Sequence, residues 1–231
     1  MGLLNNGLVR RVRPGIAVTL DWVAPFRAEW ERSNASALER SGPLWLALGD
    51  STAQGIGAPA PDRGYVGQLR ALLETRDRRA WRVVNASRTG ARMRDVITNQ
   101  LGWLDRLPSP PDLVTCAVGA NDVTWRPALR GILRDLTALL EDLPQGAIIA
   151  TLPNGLGRRR APVVNGMIRT QAATHGLVVA DVWAHTGPPR VEQLAPDHFH
   201  PSERGYRDWT AAFAAALDLD GSGSGAQRLD A

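Results

Sequence analysis

Five short apolar runs, at 44–49, 82–85, 112–118, 146–151 and 177–182, alternate with longer amphipathic stretches along this chain. A strand that is apolar throughout, rather than at every second residue, is covered on both faces, and that is the mark of parallel strands. The stretches at 65–79, 93–106, 127–143 and 162–175, with a last one at 202–217, carry helical spacing of their apolar residues. Right-handed crossovers put such helices on both faces of the sheet. The expectation is an α/β fold, a three-layer α/β/α arrangement around a five-stranded parallel sheet.

This domain is expected to cover 41–219, leaving an N-terminal helical extension at 1–40 and a Gly/Ser-rich, disordered tail at 220–231. In the extension, Asp21 is expected to cap a helix on which Trp22, Phe26 and Trp30 recur every four residues on one face. That face is expected to dock on the domain. With Arg10, Arg11 and Arg13 ahead of it, peripheral membrane contact through 10–30 is the competing reading. No stretch approaches the roughly 20 apolar residues of a membrane span, and 15–20 is too short for a signal-peptide core. The expected location is cytoplasmic.

Composition removes several chemistries. All 27 basic residues are arginine, so a P-loop lysine or a Schiff-base lysine is impossible. Net charge is only +4, with 23 acidic residues interspersed, and the densest basic cluster is Arg158-Arg159-Arg160. That is a solvated rim rather than a nucleic-acid patch. Cys116 is the single cysteine, so no CxxC pair exists, and its apolar surroundings make it a core residue. There is no HExxH, and the calcium-loop start imitated at 218–223 would need an acidic ligand where Leu229 stands. Neither metal nor cofactor is expected.

Active sites of open parallel sheets gather beyond the carboxyl ends of the strands. After the first strand comes Gly49-Asp50-Ser51, after the second Asn85-Ala86-Ser87-Arg88-Thr89-Gly90, and after the third Gly119-Ala120-Asn121-Asp122; a late loop carries Asp197-His198-Phe199-His200. These parts suit acyl transfer. A serine hydroxyl needs a base, imidazole serves at neutral pH, and the imidazole needs an acceptor to hold its tautomer. Ser51, His200 and Asp197 can fill those roles. The Ser51 amide, the Gly90 amide and the Asn121 side chain can meet an oxyanion. Asp50 and Asp122 read as braces of the loops.

The four blocks, in this order, resemble the SGNH (GDSL-type) hydrolases: Ser51 in Gly-Asp-Ser, Gly90, Asn121 in Gly-x-Asn-Asp and His200 in Asp-x-x-His, over about 44–217. The resemblance implies a flavodoxin-like sheet, a Ser51-His200-Asp197 triad and an oxyanion hole of Ser51, Gly90 and Asn121. It also implies hydrolysis of esters or thioesters of small or medium acyl groups. The second block departs from the usual Asn-x-Gly-x-Ser-Gly by placing Ser87 and Thr89 where Gly and Ser stand, which bears on loop shape.

Each block alone has a plainer reading, as a helix cap or a turn. His198 competes with His200, but the Asp-x-x-His-Pro register favours His200. Trp125 is a candidate wall of the acyl pocket, as are the segments 152–160 and 183–194. Two other classes use the same scaffold: an FMN- or phosphate-binding module at 51–57, and a non-catalytic binding module. Asp50 opposes the first, because a carboxylate repels phosphate.

Overall fold

The computed structural model describes residues 14–219, apart from 126, 127, 158 and 189. Its centre is a five-stranded sheet in the order β2-β1-β3-β4-β5, every pairing parallel. The strands are β1 (Leu44–Gly49), β2 (Arg82–Asn85), β3 (Leu113–Ala117), β4 (Ile148–Ala150) and β5 (Val178–Ala180). The chain runs outward from β1 to β2, then crosses back to β3 and continues to β5. The switch therefore falls between β1 and β3, where a crevice opens at the strand ends in flavodoxin-like sheets.

Alternation along β1 shows how the three layers form. Leu44, Leu46 and Leu48 enter a core with Ile132, Leu136 and Ile168, whereas Trp45 and Ala47 enter one with Tyr65, Leu69 and Phe213. Helices α5 (Leu129–Asp142) and α6 (Ala161–Gln171) thus cover one face, and α3 (Tyr65–Asp77) and α8 (Glu203–Ala216) cover the other. Tyr65 stacks on Phe213 at 4.8 Å between ring centroids, closing the second core. Short helices α2 (Ser51–Gln54), α4 (Ala120–Trp125) and α7 (Val182–Thr186) sit at strand ends.

Two expectations about helices change. Asp21 is not an N-cap, because helix α1 runs Pro14–Glu39 and encloses it. The stretch expected as one helix at 93–106 is instead α-helical at Met93–Asp95, a π turn at Val96–Gln100 and a 3-10 turn at Leu101–Trp103. The widened turn carries Gln100 inward, where its amide pairs with both the N–H and the C=O of Gly49, each at 2.8 Å.

Helix α1 covers the β2 edge. Phe26 and Trp30 of its aromatic face are buried, and Asn34 gives and takes a hydrogen bond with the backbone of Asn85, at 2.9 and 2.8 Å. The side chain therefore completes part of a ladder that an edge strand leaves open. An unpaired group there would cost about 1–3 kcal/mol. Arg10, Arg11, Arg13 and the tail 220–231 lie outside the described residues. Among the described residues, no helix is long and apolar enough to cross a membrane.

Candidate active site

Beyond β1 the backbone turns at Gly49, where φ is +145° and an added Cβ would lie 2.2 Å from the Ala117 carbonyl oxygen. Only glycine fits. Asp50 follows as the N-cap of α2, its carboxylate accepting from the Thr52 N–H at 2.9 Å and the Thr52 hydroxyl at 2.8 Å. Burial pushes the Asp50 carboxyl up to about 6, although the Thr52 donors and the His200 charge pull the other way. Asp122 binds the backbone N–H of Met93 at 3.1 Å. The Asp50 carboxylate already takes the Thr52 N–H at the start of α2, and its charge opposes a phosphate there.

Ser51 opens α2, facing the late loop. Its hydroxyl lies 2.9 Å from Nε2 of His200, and Nδ1 of His200 lies 2.6 Å from Oδ2 of Asp197. The other Asp197 oxygen accepts from the N–H groups of Phe199 and His200, each at 3.0 Å. Burial raises the Asp197 carboxyl, but the His200 ring and these two amides outweigh it and hold it at about 2. The loop is closed by Ala195 N–H on the His200 carbonyl at 2.8 Å, and the Phe199 ring meets the His200 imidazole edge-on. His198 takes a left-handed backbone (φ 55°) and is exposed, whereas His200 faces Ser51.

Asn121 is tied to the residue that follows Gly90. Asn121 is buried, and its Nδ2 donates to the carbonyl of Ala91 at 2.9 Å, which leaves one further N–H on that amide. Gly90 has φ +81° and nothing within 4 Å of where a Cβ would be, so its backbone angle rather than crowding asks for glycine. A cavity of about 140 Å³ with mainly apolar walls adjoins Ser51 and His200, lined also by Ala120, Leu156, Leu194 and Phe199. Part of its wall comes from the 152–160 and 183–194 segments singled out in the sequence, and the rest from the 198–201 loop and α8. Gly90 lies instead along a larger polar cleft with Ser87 and Arg88. Trp125 is not brought to the cavity; it is 67% exposed at the end of α4.

Sequence reasoning passed over Gly57. With φ +103°, an added Cβ there would lie 2.3 Å from the Pro201 carbonyl oxygen and 2.9 Å from the His200 Cβ. The backbone at 57 is thus the seat of the histidine loop, and nothing local in the sequence signals it. Tyr206 braces the same place, its hydroxyl donating to the Ile56 carbonyl at 2.7 Å. Among the described residues, no group of three or more His, Cys, Asp or Glu side chains is placed to hold a metal ion.

The GDSL-like Lipase/Acylhydrolase family model matches residues 47–207. No curated protein matches the sequence. Among solved structures, an alpha/beta hydrolase enzyme from the metagenome of Lake Arreo, Spain, is 26% identical at a TM-score of 0.61, covering 78% of this chain and 96% of its own. A lipase from a goat rumen metagenome (19% identical, TM-score 0.62) covers 76% of this chain and 97% of its own. The acetylxylan esterase Axe2 of Geobacillus stearothermophilus (24%, TM-score 0.56) covers 77% and 94%. The last two likenesses concern the fold.

Proposed function

The chain belongs to the GDSL-like lipase/acylhydrolase family of carboxylic ester hydrolases, and from that premise we propose that it cleaves esters of small or medium acyl groups through an acyl-enzyme on Ser51. The observation that carries this reading is the unbroken sequence of contacts from the Ser51 hydroxyl to His200 to Asp197, at 2.9 and 2.6 Å.

The steps follow from those contacts. Neutral His200 accepts the Ser51 proton at Nε2 as Oγ attacks the ester carbonyl carbon. The carbonyl π electrons move to oxygen, and the Ser51 N–H, the Gly90 N–H and the remaining Asn121 N–H meet that charge. His200, now imidazolium and held by the Asp197 carboxylate, returns its proton to the departing alkoxide as the C–O bond breaks. Water, deprotonated by His200, then releases the acid by the same route. Every proton in this cycle passes through one nitrogen.

The acyl range rests on the small apolar cavity beside Ser51. EDTA-treated protein assayed on acetyl, butyryl, octanoyl and palmitoyl aryl esters tests it. Highest kcat/KM at acetyl or butyryl, with no effect of EDTA, is the expected result. Preference for palmitoyl overturns the acyl range, and failure to hydrolyse any ester overturns the esterase reading.

A further inference from the structure

Five backbone groups of the turn that presents Gly90 are already spoken for. The Arg88 N–H donates to the Gly49 carbonyl at 3.1 Å, and the Ala91 N–H closes the turn on the Arg88 carbonyl at 3.0 Å. The Ala91 carbonyl is held by Asn121. The Thr89 N–H donates to Oε1 of Gln54 at 2.8 Å, and the Thr89 hydroxyl donates to the same oxygen. A backbone N–H can only donate, so the Gln54 atom facing it is the oxygen. Among the described residues, the Gly90 N–H is the amide of this turn with no hydrogen-bond partner.

Gln54 is also fixed from behind. It is buried at the end of the four-residue helix that Ser51 begins. The last carbonyls of a helix lack internal partners. Here the Gln54 carbonyl accepts from the Trp30 indole N–H at 3.0 Å, and the Ala53 carbonyl accepts from the Asn85 side chain at 2.8 Å. Helix α1 therefore reaches the site through Trp30. The Asn85 side-chain oxygen in turn accepts from the Ser87 N–H at 3.0 Å, so the start of the second block is tied to α2 as well.

We propose that Gln54 is a positioning residue of the hydrolytic site: with Ser51 at one end of α2 and Gln54 at the other, that helix sets the Gly90 amide against the nucleophile. The inference rests on the esterase reading above. Gln54 touches no reacting atom. It acts by engaging Thr89, so that the Gly90 N–H remains directed at an oxyanion rather than turning away. Preorganised donors cost no reorientation during the reaction, and a donor free to swing loses much of its worth. This also accounts for threonine at 89, since its hydroxyl is the second hand on the same oxygen.

The test compares wild type with Gln54→Met, which keeps length but removes the acceptor, and with Thr89→Val, which removes only the hydroxyl donor. Active sites are counted by fluorophosphonate titration, kcat per titrated site and KM are measured on a butyryl aryl ester, and affinity is measured for a trifluoromethyl ketone. The ketone forms a tetrahedral oxyanion adduct, so it reads the donors directly. Gln54→Met is expected to lower kcat per site about 10- to 100-fold, part of the roughly 10²–10³-fold cost of a whole donor. KM should stay within about threefold, and ketone affinity should fall with kcat/KM. Thr89→Val should show the same pattern, less deep, and it decides the matter if Gln54→Met does not fold. Fewer titratable sites with unchanged kcat per site, or a change confined to KM, overturns the proposal and leaves Gln54 a packing residue. A wild type that takes no fluorophosphonate overturns the esterase reading and this inference together, whereas a labelled wild type separates them.

Discussion

His200 Nε2 lies 2.9 Å from the Ser51 hydroxyl across 149 residues of chain. Two separate devices bring them together. The Gly49 turn lifts Ser51 out of β1, and the 194–201 loop folds on itself through Ala195, Asp197 and His200. Neither device involves substrate. In the proposed mechanism the fold itself thus sets base against nucleophile, as rate acceleration by positioning requires.

Asp197→Asn separates the carboxylate's two jobs. One oxygen holds the Phe199 and His200 amides, and the other faces Nδ1 of His200. An asparagine must keep its oxygen on the amides, which turns its NH₂ toward Nδ1. Nδ1 then has to accept, the ring proton moves to Nε2, and Ser51 loses its base. The expected result is a fall in kcat of roughly 10³–10⁴-fold with the fold retained. Near-wild-type kcat would show that Asp197 only shapes the loop.

Gly57→Ala tests the seat of the histidine loop without altering any group of the proposed triad. Its Cβ would meet the Pro201 oxygen at 2.3 Å and the His200 Cβ at 2.9 Å, so the loop has to shift. Displacements of about 1 Å at such sites cost on the order of 10²-fold. We expect kcat/KM to fall at least tenfold, measured on folded protein verified by circular dichroism. Unchanged kinetics would mean that the loop follows the added methyl without disturbing the Ser51 contact.

Much of this was legible beforehand, for identifiable reasons. The β1 boundaries read directly from the sequence because a strand buried on both faces leaves an uninterrupted apolar run. Asp21 read as a helix start because a capping residue followed by an aromatic stripe is a local pattern, yet α1 already runs through it. Trp125 looked like a pocket wall by its nearness to Asn121, but α4 carries it outward. Gly57, Gln54 and Gln100 were invisible for a common reason. Each meets a partner 35 or more residues away, and a contact of that span leaves no local pattern.

Asp50 should make stability depend on pH in an unusual direction. Burial raises its carboxyl from 3.8 to about 6 in the folded chain. Between those values the folded chain binds more proton than the unfolded one, so this group's contribution is full below 3.8 and is lost as pH rises through about 6. Asp50→Asn keeps an oxygen for the Thr52 donors and removes the buried charge. Its Tm relative to wild type should therefore rise between pH 4 and pH 7. A difference that is flat, or that falls, would show that the native carboxylate is compensated.

The most direct test of the account is intact-mass measurement of the protein after reaction with a fluorophosphonate, followed by peptide mapping. The prediction is one adduct per chain, on Ser51, with neither adduct nor measurable ester turnover in Ser51→Ala, a loss on the order of 10³-fold or more. An adduct on another serine, or a Ser51→Ala variant that still hydrolyses ester at the wild-type rate, would contradict it.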